Sequence, residues 1–118
     1  MSYMLLIHEN RGDRDTRSPQ EALALYQEMT AFAGELARDG LLAGAESLKS
    51  DKHAIRLQER DGELQVLDGP FAESKEMVGG FFLLNCEDRE QALAIAKRCP
   101  AVRFASVVIR ELAPCHEG

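Results

Sequence analysis

Asp68 heads the segment DGPFAESKE, residues 68–76, which brings a carboxylate, a Phe, two Glu, a Ser and a Lys together between two strand-like runs. A turn there needs only Asp68-Gly69-Pro70. A carboxylate at a strand end beside a cleft can serve as a general acid or base. His8, at the end of the first apolar run, is the natural partner, because an imidazole oriented by a carboxylate is a general base. Lys75 or Arg110 would hold an anionic substrate, with Phe71 and Glu73 beside them. The polar loop 9–17 carries Arg11, Arg14 and Arg17 alternating with acids. It reads either as a lid that clamps an anionic ligand or as a solvated charged loop.

Each of these residues also has a structural use. Asp68 can accept a backbone N–H in an Asx-turn, Pro70 sets φ, and Phe71 can plug a core. Residues 73–76 are long enough for one helical turn. His8, like His53 and His116, can be hydrogen-bonded or solvated. Metal chemistry is poorly served. Three His and three Cys are present, but none has close ligand spacing, and adjacent Cys115-His116 point poorly for one ion. Cys86 and Cys99 flank a helical stretch and read as small core residues rather than nucleophiles. Gly79-Gly80 precedes a strand and lacks the spacing of a nucleotide-binding loop, so it reads as a bulge or a close backbone approach. No metal and no cofactor are expected.

The elements that must position these groups are legible in the apolar periodicity. Residues 2–8 read as a strand. Ser18-Pro19-Gln20-Glu21 is a helix start: a capping Ser, a Pro at the first position and Glu21 to complete the capping box. Ala22, Leu23, Tyr26, Met29, Ala33, Leu36 and Ala37 follow at steps of three and four, giving an amphipathic helix over 19–39 that Gly40 stops. Residues 41–48 form a short strand bent at Gly44. His53–Glu59 and Leu64–Leu67 flank Asp61-Gly62 as a hairpin. Val78–Asn85 is a strand. Asp88 with Gln91 caps a helix over 89–98 that buries Ala92, Leu93, Ile95 and Ala96, and Pro100 ends it. The last strand covers 104–112. The order β-α-β-ββ-β-α-β is a ferredoxin-like split βαβ sheet with an inserted β-hairpin, an α+β fold with both helices on one face.

Composition sets bounds. The chain has 118 residues, 45% hydrophobic and 29% charged, with a net charge of −6, and reads as one domain. The acidic balance disfavours nucleic acid and anionic membrane surfaces. An odd cysteine count without a signal-like leader fits reduced thiols and a cytoplasmic location. The longest apolar run, Val78 to Leu84, is too short to span a membrane.

Three strands are apolar on both faces: Tyr3–Ile7, Phe81–Leu84 and Val107–Ile109. Two helices cover one face only. Leaving six or more large side chains in water would forfeit roughly 1.5–3 kcal/mol each. A second copy packing sheet to sheet is the simplest cover, so a two-fold homodimer is expected, with the two sheets closing a barrel-like core.

DGPFAESKE followed by VGGFFLL, together with the opening YMLLIH and AIAKRCP near residue 100, resembles the DGPF-type branch of the YCII-related family. The similarity runs over nearly the whole chain. It implies a dimeric α+β barrel, and a link to extracytoplasmic-function sigma factors known for some members. It also implies a His–Asp pair as the proposed active site. Asp68 matches the motif aspartate; His8 matches by its place at the strand end. The family's last strand often reads V-E-V-R. Here Val108 stands where that Glu would be, which counts against catalysis, while Arg110 is kept.

Two functions follow. One is a small ligand-binding or regulatory module, tied to a sigma factor by the resemblance. The other is an acid–base enzyme, lyase- or isomerase-like, using Asp68 and His8 on a small organic acid. A purely structural dimer is a third reading.

Overall fold

The computed structural model describes residues 2–71 and 73–118. Its elements run β1 (Ser2–Asn10), α1 (Asp13–Thr16), α2 (Pro19–Arg38), β2 (Leu42–Ser47), β3 (Ile55–Arg60), β4 (Glu63–Asp68), β5 (Glu76–Asn85), α3 (Arg89–Arg98) and β6 (Ser106–Glu111). Short 3-10 turns at Asp51–His53, Pro100–Arg103 and Cys115–Glu117 complete the path. β2, β5, β1 and β6 lie side by side, every neighbouring pair antiparallel. That is the split βαβ order, and the fold is α+β. β3 and β4 pair only with each other, as a separate two-stranded arm.

Both helices start where capping chemistry demands. The Ser18 hydroxyl accepts from the Glu21 N–H, and the Glu21 carboxylate accepts from the Ser18 N–H. Asp88 accepts from the Gln91 N–H. These contacts satisfy donors that the first helical turn leaves open.

The core lies between the sheet and its two helices. Alternation along β1 sends Tyr3, Leu5 and Ile7 inward, where they meet Leu84 and Phe82 of β5. From α2, Phe32 and Leu36 close on them, Phe32 meeting Phe82 edge to face at 5.2 Å. From α3, Ala92, Ile95 and Ala96 do the same. The expected helical stripes need correction on both helices. Leu23 and Tyr26 of α2 and Leu93 of α3 are exposed. In an Ala-rich helix two overlapping stripes satisfy the same spacing, and the sheet selected the one through Met29, Phe32 and Leu36. Cys86 and Cys99 are buried, as their surroundings suggested.

Two segments differ from their expected form. β1 runs past His8 to Asn10, because a bulge at Gly79 restores pairing between His8 and Val78 and between Glu9 and Met77. The supposed loop 9–17 then contains α1 rather than irregular chain. Residues 73–76 do not form a helical turn. The Arg11 guanidinium and backbone N–H take the Ser74 and Lys75 carbonyls instead.

Among the described residues, no helix lies on the opposite face of the sheet. Met4, Leu6 and His8 of β1, Phe81 and Leu83 of β5, and Val108 and Arg110 of β6 share it by register. The molecule measures 48 × 43 × 18 Å, with a radius of gyration of 16.2 Å. A compact chain of this length has about 13.5 Å. The excess fits a flat slab with a projecting arm.

Candidate functional site

Sequence parity builds the site. Tyr3, Leu5 and Ile7 point toward the helices, and two further residues along the strand place Glu9 on the same side. Glu9 is only 5% exposed, the sole buried charged residue among those described. A carboxylate taken out of water needs compensation, and α1 supplies it. Arg14 Nε donates to Glu9 Oε1 at 2.5 Å. The same guanidinium donates from Nη1 to the Leu48 carbonyl at 2.8 Å and from Nη2 to the Gly79 carbonyl at 3.4 Å. Three of the five Arg14 N–H donors are thereby used, while Glu9 Oε2 takes no hydrogen bond from the described residues.

Gly79 makes the pair possible. A Cβ there would fall 2.5 Å from Glu9 Oε2 and 3.0 Å from Arg14 Nη2. The Gly79-Gly80 pair thus marks both a bulge and the floor under a buried ion pair. Gly12, at φ 95°, turns the chain from β1 into α1 and so aims Arg14 back at the strand it has just left.

Glu9 and Arg14 stand at the wall of a cleft of about 630 Å³ between α2 and the sheet. Ile7, Ala45 and Phe82 form its floor, and Leu25, Met29 and Ala33 its roof. Tyr26, Thr30 and Ser47 bring hydroxyls to its rim. Arg17 and Phe104 also line it, the guanidinium lying 5.3 Å from the ring centre. Arg17 forms no ion pair with any described residue. The size and the mostly apolar lining are those of a small-molecule site.

The residues singled out from the sequence lie elsewhere. Neither His8 nor Asp68 lines this cleft. His8 is half-buried on the helix-free face, between Val78 and Ser106. Asp68 ends β4 in the arm, exposed and opposite Ile55. No hydrogen bond or ion pair joins the two among the described residues. Arg110 is exposed opposite Met4 on the helix-free face. Phe71 is half-buried with Arg56 5.8 Å above its ring, and Glu73 pairs with Arg56 at 3.2 Å, so both brace the base of the arm. Lys75 is exposed, and its carbonyl accepts from the Arg11 N–H. Ala72 of the motif lies outside the described residues.

The described residues of DGPFAESKE form a docking turn at the base of the arm. Gly69 donates its N–H to the Ala54 carbonyl at 2.8 Å, and a Cβ there would sit 2.0 Å from the Asp51 carbonyl oxygen. Only glycine permits that approach. Arg11 secures the same junction, with Nε to the Ser74 carbonyl at 2.8 Å and Nη1 to Asp51 Oδ1 at 2.5 Å. Asp51 and Arg11 are 40 positions apart, so no local spacing could reveal the pair. Glu9, by contrast, was readable from strand parity once the strand is extended past His8.

Among the described residues no three His, Cys, Asp or Glu side chains gather as a metal site. Burial pushes the Cys99 and Cys86 thiols above their ordinary value, which keeps them protonated and poor as nucleophiles. No helix among the described residues is long and apolar enough to cross a membrane.

The model of the YCII-related domain matches residues 1–115. The chain belongs to the YCII-related family. An uncharacterized protein of Rhizobium meliloti (strain 1021) is 30% identical over 97 residues, which cover 82% of this chain and 78% of that one. Among solved structures, the fold is similar to 5-chloro-2-hydroxyhydroquinone dehydrochlorinase (TftG) from Burkholderia phenoliruptrix AC1100, in complex with 2,5-dihydroxybenzoquinone. That likeness has a TM-score of 0.55 and 13% identity, and covers 99% of this chain and 98% of that one. At that identity it concerns the fold of this YCII-related chain, not its chemistry.

Proposed function

We propose that this YCII-related protein binds a small organic anion, an apolar or aromatic body bearing one carboxylate, in the cleft between α2 and the sheet. One observation carries the reading: an unpaired guanidinium, Arg17, and an apolar wall share one cleft of about 630 Å³. Arg14 is already neutralised by Glu9, so Arg17 is the cation left to meet a ligand. A guanidinium and a carboxylate make a charge-assisted, two-pronged pair. The body of the ligand would rest on Met29, Ala33 and Phe82, and the free Oε2 of Glu9 would accept from a ligand hydroxyl.

Thermal shift against a panel of aromatic and branched aliphatic carboxylates tests this. Ligand at one hundred times its Kd stabilises the folded state by about 2.7 kcal/mol. The expected result is a shift in wild type that is reduced in Arg17→Ala and lost in Ala33→Phe, which fills the cleft from its roof. A panel without a hit, or a hit indifferent to both variants, defeats the reading.

Glu9 also favours a second reading. A carboxylate at the wall of an apolar cleft is placed to take a proton from a ligand and return it, as an acid–base enzyme requires. His8 and Asp68, the pair the resemblance names, would be alternative carriers outside the cleft. Turnover lost in Glu9→Gln but kept in Asp68→Asn would assign the chemistry to the cleft; the reverse would assign it to Asp68.

A further inference from the structure

Two elements far apart in sequence meet at one wall of the cleft. Arg17 stands between α1 and α2, and Phe104 follows the 3-10 turn Pro100–Arg103. Both line the cleft, with the guanidinium carbon 5.3 Å from the ring centre. The ring is firmly placed. Its backbone N–H donates to the carbonyl of fully buried Ala101 at 3.1 Å. The preceding Arg103 donates to Glu28 of α2 at 2.6 Å, and Phe104 itself packs against the core.

The acids nearest Arg17 in sequence are committed elsewhere or turned away. Glu9 holds Arg14, Asp15 holds Lys52, and Glu21 accepts from the Ser18 N–H. Asp13 opens α1, at the i, i+4 spacing that pairs charges on a continuous helix. Arg17 is no longer helical, however. Its φ of −84° and ψ of 143° are extended, which breaks the helical row. Ser18, the cap of α2, fixes the chain immediately after it. The guanidinium lies over Phe104 instead of beside an acid.

We propose, building on the cleft as the ligand site, that Phe104 is a positioning residue: its ring carries one face of the Arg17 guanidinium and leaves the N–H edge open to a ligand carboxylate. A guanidinium is planar, with its donors in the plane and its charge attracted to an aromatic face. Ring contact and carboxylate contact therefore use different parts of the group and do not compete. An acid in place of the ring would consume the donors. A freely moving arginine would lose side-chain freedom on meeting a ligand, whereas over the ring part of that loss precedes binding. Phe104 thus acts on the ligand's charge through Arg17. The ligand's apolar body belongs to Met29, Ala33 and Phe82, elsewhere in the lining.

Two readouts test this. Without ligand, nitrogen-15 NMR follows the Arg17 Nε–H, assigned by its loss in Arg17→Ala. It should be displaced by ring current and restrained in motion, and Phe104→Leu should abolish both properties. An Arg17 signal indifferent to Phe104→Leu overturns the proposal. With ligand, calorimetric titrations use benzoate, 3-phenylpropanoate and 4-methylpentanoate, each beside its neutral amide. Phe104→Leu should weaken carboxylate binding about three- to fivefold and amide binding by less. Phe104→Tyr, which keeps the ring, should restore the carboxylate affinity. In an Arg17→Ala background Phe104→Leu should no longer discriminate carboxylate from amide. Equal losses for carboxylate and amide would make the ring a wall of the cleft only, and a carboxylate affinity untouched by Phe104→Leu would remove its role. Either result overturns the proposal while the cleft remains the ligand site. A wild type that binds none of these carboxylates defeats the cleft reading itself and the role of Phe104 with it.

Discussion

The four-stranded sheet and the arm are built from the same kind of residue and treat it in opposite ways. Leu5 and Leu84 sit in the sheet with no exposure at all. Leu57 and Leu64, in strands as regular, stay mostly in water. The difference lies in what faces each surface. The sheet has α2 and α3 on one side, and alternation along β1 sends every second side chain into that layer. Among the described residues, no layer covers either side of the arm. Period-two patterning thus tells which residues share a face, but not whether the face finds a cover within its own chain.

The largest expected effects separate the two regions directly. Leu84→Ala should cost about 2–5 kcal/mol in urea denaturation, because its cavity opens inside a packed layer. Leu64→Ala should cost no more than about 0.5 kcal/mol at protein concentrations low enough to dissociate any assembly. The Leu84→Ala deficit should exceed the Leu64→Ala deficit at every protein concentration. Equal deficits at all concentrations would abolish the distinction drawn between sheet and arm.

A middle-sized effect belongs to the seam between them. Gly69→Ala drives a methyl into the Asp51 backbone carbonyl, a neighbour that cannot swing aside, and should cost about 1–3 kcal/mol. Hydrogen exchange should locate the loss at the base of the arm and leave β1 and β5 protected. Loss spread evenly through β1 would mean that arm and sheet unfold as one unit.

The smallest effect is a pH dependence confined to the core. Burial raises the Cys99 and Cys86 thiols in the folded state above their ordinary 9.0. A raised folded value contributes stability that is complete below the unfolded value and disappears as pH rises through the folded one. The thermal midpoint should therefore be insensitive to these thiols at neutral pH and decline above pH 9.0, less steeply in Cys99→Ala. The arm contains no cysteine, so its opening should not share that alkaline slope.

Much of the fold was legible because it rests on local chemistry. Ser18 with Glu21 and Asp88 with Gln91 mark helix starts that need no tertiary information. The Asp61-Gly62 hairpin and the bend at Gly44 are equally local. The true stripe of α2 was not legible, since Leu25 and Phe32 compete with Leu23 and Tyr26 at equivalent spacing and only the sheet decides. The cleft was harder still. Its ion pair depends on a bulge at Gly79 that keeps β1 paired two residues beyond His8, and on a four-residue helix that returns Arg14 to the strand. The bulge is a long-range event, set by the pairing of β1 with β5. The motif residues drew attention by their density; Gly69, Phe71 and Glu73 lie at the base of the arm, away from the cleft.

That junction has a consequence for how such a chain can change over generations. Ala54 and Gly69, the residues bordering the arm, are hydrogen-bonded to each other, and Arg11 bridges the chain just before and just after them through Asp51 and Ser74. An inserted segment whose two ends are held at one point imposes little on the scaffold that carries it. Its length, tip and surface can be exchanged at a small loop-closure cost while β2 still feeds β5 in the same place. The arm is thus the part of this architecture freest to diversify in length and surface.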